Sequence, residues 1–200
     1  MKRLSAVLIL LFSISLACKA QSLVVKTDAL YWASATPNLG IEGMVSPRWT
    51  IGVKGGYNPW VFTADESVKT KHILISPHAR YWFCSAFHGH FIGLDAGYTH
   101  FNVSGFPVPA MFWPVSADGI FIDHLKNSRS EGKAFSAGLE YGCSWPISRC
   151  WNLEFNIGLG VWYTVYDRYE AVKCGLFSET VSNVAFGPTS LGVSFVYIIK

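Results

Sequence analysis

The stretch 151–161 reads Trp-Asn-Leu-Glu-Phe-Asn-Ile-Gly-Leu-Gly-Val, and its strict alternation constrains the fold more than any other feature of the chain. Trp151, Leu153, Phe155, Ile157, Leu159 and Val161 are all apolar, and Asn, Glu or Gly stands at every position between them. Residues two apart lie on different faces of a helix but on the same face of a strand. The segment is therefore expected to be a strand with one apolar and one polar face.

The same period recurs. Val25, Thr27, Ala29 and Tyr31 alternate with Lys26 and Asp28, and Leu39, Ile41 and Val45 with Gly40 and Glu42. Trp49, Ile51, Val53 and Tyr57 oppose Thr50, Lys54 and Asn58, and Ile73, Ile75, Ala79, Tyr81 and Phe83 oppose Ser76, His78 and Arg80. Leu74 and Trp82 blur that last pattern. Ile92, Leu94, Ala96 and Tyr98 oppose Asp95 and its glycines, and Phe135, Ala137, Leu139 and Tyr141 oppose Ser136, Gly138 and Glu140. Leu191, Val193, Phe195 and Tyr197 make the last set. About eight strands result, an even number as closed bacterial barrels require.

Alternation is shared by soluble sandwiches and membrane barrels, so the minority face must decide between them. Here it carries both signs, Lys26, Lys54 and Arg80 against Asp28, Glu42, Asp95, Glu140 and Glu154, with glycines between. That suits the narrow, side-chain-filled lumen of an eight-stranded barrel. Glu140 and Glu154 are expected to hold Arg80 and Lys54 in a structural salt-bridge network, which must be fully paired to offset its desolvation. On the apolar face, Tyr31, Trp49, Tyr57, Tyr81, Tyr98, Tyr141, Trp151, Tyr163 and Tyr197 fall mostly near strand ends, as interfacial girdles do. Charged residues are only 14% of the chain while 16% is aromatic, a balance foreign to soluble domains. Beyond the first 17 positions no apolar run is long enough for a membrane helix.

The expected fold is an all-β, eight-stranded, antiparallel, up-and-down transmembrane barrel of the outer-membrane type. Short connections at 46–48, 85–89 and 146–149 read as periplasmic turns, and 59–71, 104–131 and 165–184 as long external loops. Ser34–Asn38 is a short exception on the loop side.

Residues 1–20 read as a cleaved secretory signal, with Lys2 and Arg3 before the apolar run Leu4–Leu16 and small residues at Cys18 and Ala20. Residues 21–200 form one barrel domain. A lipidated Cys18 is the rival reading, but Leu16 stands one place too close to it. Cys84, Cys143, Cys150 and Cys174 remain after cleavage, enough for two disulfides or for none.

Chemistry-bearing motifs are sparse. His100, Ser104, Asp118, Asp123, His124 and Ser130 could supply an acyl-transfer site on the loop rim. No spacing compels it, and the chain reads as a non-enzyme with no catalytic residues, no metal site and no cofactor. His88 and His90 bracket a turn glycine and do not form a metal motif. The net charge of +3 is scattered, which excludes a nucleic-acid footprint. The stretch Phe106-Pro-Val-Pro-Ala-Met-Phe-Trp-Pro114 is apolar for a loop, making Phe106, Met111, Phe112 and Trp113 the candidate binding residues.

Six strings in order, Thr36–Gly40, Gly55–Trp60, Arg80–Trp82 with Gly89–Phe91, Gly138–Gly142, Trp151–Glu154 and Tyr197–Lys200, are similar to those of the Bacteroidota outer-membrane proteins grouped as domain of unknown function 3575. The resemblance spans essentially the whole chain after the signal. It implies an exported barrel of uncharacterised role, in contact with outer-membrane lipid and, as in some members' settings, a surface protein or fimbrial partner. The extended Gly105–Lys126 loop and the Cys143/Cys150 pair depart from it, and in place of the terminal Phe or Trp typical of barrel-assembly signals Tyr197 stands three residues before the end. The expected function is a small non-porin barrel with a structural or surface-interaction role. A lipid-modifying enzyme or a narrow channel is the alternative.

Overall fold

The computed structural model describes residues 22–61, 69–104, 115–116, 128–170 and 176–199. Strands β1 (Leu23–Asp28), β2 (Asn38–Ser46), β3 (Trp49–Asn58), β4 (Lys69–Trp82) and β5 (Gly89–Ser104) follow one another as antiparallel neighbours. After the two-residue β6 (Val115–Ser116) come β7 (Ser128–Pro146), β8 (Trp151–Glu170) and β9 (Phe177–Ile199). β9 then pairs with β1 over six residues, Leu23 with Ile199 through Asp28 with Ser194, so eight strands close into a ring. The chain is an eight-stranded antiparallel up-and-down barrel; β6 pairs with Phe186 and Ala185 of β9, beyond the end of β1.

The walls differ in height. β2 and β3 have 9 and 10 residues, whereas β7, β8 and β9 have 19, 20 and 23. This corrects two expectations. Strands occupy 128–131 at the end of the segment 104–131 read as a loop, and 165–170 and 177–184 of the segment 165–184, because a strand that rises past the apolar belt meets similar surroundings on both faces and need not alternate. β1, by contrast, stops early. Asp28 accepts a hydrogen bond from the Leu30 amide at 2.9 Å and caps the short helix α1 (Ala29–Ala33). Tyr31 therefore lies on a helix and not on the outward strand face; Lys54 Nζ stands 4.6 Å from its ring centroid, at the loop-side end of the lumen.

A bulge in β9 re-aims its side chains. The register with β8 moves from Gly158–Ser190 to Leu159–Pro188, leaving Thr189 unopposed, and its hydroxyl donates to Asp95 Oδ1 at 3.0 Å inside the barrel. From there on, Val181 faces in and Val184 and Phe186 face out.

Gly138 and Gly160 oppose each other across β7 and β8. A Cβ on Gly160 would fall well inside contact distance of the Ala137 carbonyl oxygen and the Gly138 Cα, backbone that cannot swing away. Gly160→Val is expected to destabilise the barrel by about 1–3 kcal/mol, the usual range for overpacking, read as a lower urea midpoint in detergent micelles.

Candidate functional site

The interior is built in three layers. At the turn end Val24, Trp82, Phe87, Phe91 and Val196 form a buried apolar plug, with Met44, Ala86 and Ile198 packed against it. The Trp82 ring lies 4.7 Å from that of Phe91 and 5.9 Å from that of Phe87. At the loop end Phe101, Val103, Ala134 and Tyr166 form a second buried cluster, flanked by Trp162 and Val181.

Between them lies the charged layer. Arg80 is its hub: Nε donates to Glu140 Oε1 at 2.5 Å, Nη2 to Glu140 Oε2 at 3.2 Å, and Nη1 to Glu154 Oε1 at 2.8 Å and Glu42 Oε2 at 3.0 Å. Lys26 reaches the same two acids, Glu42 at 2.5 Å and Glu154 at 3.4 Å. His78 Nε2 approaches Glu42 Oε2 at 3.1 Å, and the Thr50 hydroxyl donates to the other Glu42 oxygen. Trp82 Nε1 donates to Thr50 Oγ1 at 2.9 Å, which ties the plug to the charges. The Arg80 guanidinium also lies 4.4 Å from the Phe91 ring centroid.

Lys26, Asp28, Glu42, Lys54, Arg80, Asp95, Glu140 and Glu154 thus all point inward. One pairing differs from expectation. Lys54 is held by Asp28 at 3.6 Å, not by Glu140 or Glu154, which both belong to Arg80. His78 joins the network as well: its inward parity is legible in the alternation, but its partner Glu42 is not. Trp82 and Phe91 were missed as a plug; the signal was that Trp82 is in phase with Arg80, and Phe91 with Asp95. A polar cavity of about 20 Å³ lies at the charged layer, lined by Lys26, Lys54, His78, Arg80, Asp95 and Glu140 among others. Such a volume holds about one water molecule.

The outer face is the inverse of the interior. Leu94, Leu139 and Leu159 lie side by side on β5, β7 and β8, and Ile51 on β3 continues the row beyond Ala79 of β4; all four are about half exposed or more. Trp49 and Tyr81 pair at 5.3 Å, Trp145 and Phe155 at 5.4 Å, and Trp151 and Tyr197 at 5.0 Å near the turn end. Toward the loops, Tyr98 and Phe135 pair at 5.2 Å and Tyr163 stands beside them. Along β8 the outward apolar run from Trp151 to Tyr163 spans roughly 30 Å at a barrel tilt of about 40°.

His100 is exposed, whereas Ser104 and Ser130 are buried at the loop end; Asp118, Asp123 and His124 lie outside the described residues, as do Phe106, Met111, Phe112 and Trp113. Cys84, Cys143 and Cys150 are free thiols, and Cys174 and the segment 1–21 also lie outside the described residues. His90 Nδ1 is 2.9 Å from the Tyr141 hydroxyl against which it stacks.

The family model described as "protein of unknown function (DUF3575)" matches residues 6–199, and the chain belongs to that family. No curated protein and no solved structure matches it.

Proposed function

We propose that the protein is a non-conducting outer-membrane barrel with a structural or surface-interaction role, its loop-side end serving as the recognition surface. The observation that carries this reading is inverted amphipathicity: ion pairs and a buried arginine inside, a continuous belt of exposed Ile, Leu, Val and Phe outside, with aromatic residues at its edges. An exposed apolar belt of this size in water would drive aggregation, whereas in hydrocarbon it is the ordinary outer surface of a closed sheet. The layered interior supports a barrel without a pore. The long walls β7, β8 and β9 rise past the belt and support recognition at that end. Exportation through residues 1–20 belongs to the same reading.

Expression in a Gram-negative host should place the protein in the outer-membrane fraction, with unheated samples migrating faster on gels than boiled ones. Planar bilayers containing it should show no conductance steps. A soluble periplasmic product overturns the membrane assignment, and stable conductance overturns the closed lumen.

A further inference from the structure

The outward rows of side chains on β4, β5 and β7 change character just beyond the loop-side aromatic row. Ile75, Tyr98, Phe135 and Tyr163 are cross-strand neighbours. One step toward the loops the row reads Ile73, His100, Lys133 and Val165, and one step further Lys71, Asn102, Glu131 and Asp167.

Lys71, His100 and Lys133 are exposed, and none has an ion-pair or hydrogen-bond partner among the described residues. The nearby acids are engaged elsewhere: Glu131 accepts from Arg129 at 2.6 Å and Asn102 at 2.8 Å, and Asp167 from Thr180 at 2.6 Å. His100 and Lys133 are direct cross-strand partners, so their Cβ atoms stand about 5 Å apart, and Lys71 lies diagonally about 7–8 Å from His100. Basic side chains crowded on one face oppose each other unless an anion joins them.

The surface beneath them is shaped as well as apolar. Ala96 and Ala137 face outward as partners, a shallow step between the Tyr98–Phe135 pair and the protruding Leu94–Leu139 pair. A chain-like apolar group fits that step while a headgroup reaches the cations. We propose that Lys71, His100 and Lys133 bind the phosphate of an outer-leaflet lipid headgroup, with an acyl chain lying over Ala96 and Ala137. This rests on the membrane reading above and names the lipid chemistry at its loop-side edge.

The test uses the full chain in lipid nanodiscs, with diphosphorylated lipid A as the probe and its dephosphorylated form as control. Lipid retained through detergent exchange is counted by native mass spectrometry, for the wild type and for Lys71→Gln/Lys133→Gln. The double variant should retain phosphorylated lipid about tenfold less well and the control lipid equally. Equal retention of the phosphorylated form by both proteins overturns the site. Full displacement by millimolar inorganic phosphate also overturns it, in favour of a free-phosphate site. Unchanged heat-modifiable migration of the variant shows that its barrel is intact. Failure of the wild type itself to insert overturns the membrane reading, and is seen before any lipid is counted.

Discussion

Arg80→Met is expected to be the most damaging single substitution in the barrel. The methionine fills similar space, so the loss is electrostatic: Glu140 and Glu154 lose every cationic contact within 3.2 Å, and Glu42 keeps only Lys26 and His78. Breaking a buried pair by removing one partner costs about 3–5 kcal/mol, because a buried charge is left uncompensated. Urea titration in detergent should show the midpoint drop accordingly, with most unheated protein migrating as the unfolded form. Adding Glu140→Gln and Glu154→Gln to the same chain should restore much of the loss, since amides need no counter-charge. Arg80→Lys should recover less than half, because one ammonium cannot reproduce a fork that reaches three carboxylates. A midpoint unchanged in Arg80→Met would show the network to be ornamental to stability.

Trp82→Ala is expected to come close behind. Its ring is fully buried among Phe87, Phe91, Val24 and Val196, and its indole N–H is the donor that the Thr50 hydroxyl accepts. Truncating a large buried aromatic costs about 3–5 kcal/mol through lost contacts and the void left behind. Trp82→Phe should recover the packing but not the hydrogen bond, and so fall between. Bilayer conductance should stay absent in Trp82→Ala, because the Arg80 layer still fills the barrel beyond the plug; current steps in this variant would show that the plug alone holds the lumen shut.

Alternation carried the fold wherever its two faces meet different surroundings. At Trp151–Val161 one face is exposed and apolar and the other is packed with Asn, Glu and Gly, so the period stands out. At the turn end the signal weakens because the inward face is apolar too: Trp82 and Phe91 are as greasy as their outward neighbours. At the loop end it fades for the opposite reason, with Arg129, Glu131, Asp167, Arg168, Glu179 and Thr180 placing polar groups on both faces of long strands. Tyr31 was misplaced because Ala29 and Tyr31 happen to continue the phase of Val25 and Thr27, while the cap formed by Asp28 ends the strand. The partner of Lys54 was out of reach for another reason. Parity tells which face a residue occupies, but not its height in the barrel, and height depends on register between strands that no single segment contains.

The seam between β1 and β9 sets the order of assembly. The other neighbouring pairs in the ring are consecutive along the chain, with only the two-residue β6 intervening between β5 and β7. The six pairings from Leu23–Ile199 to Asp28–Ser194 instead join the two extremes of the described chain. Bringing such distant ends together costs the most loop entropy of any contact in the molecule, and topologies that depend on such contacts fold slowly. The hairpins can zip up early, and Lys26–Glu42 and Asp28–Lys54 can form within the β1–β3 meander, but the charged layer cannot be completed until closure, because Lys26 on β1 must also reach Glu154 on β8. Closure and completion of the charged layer are therefore one late event.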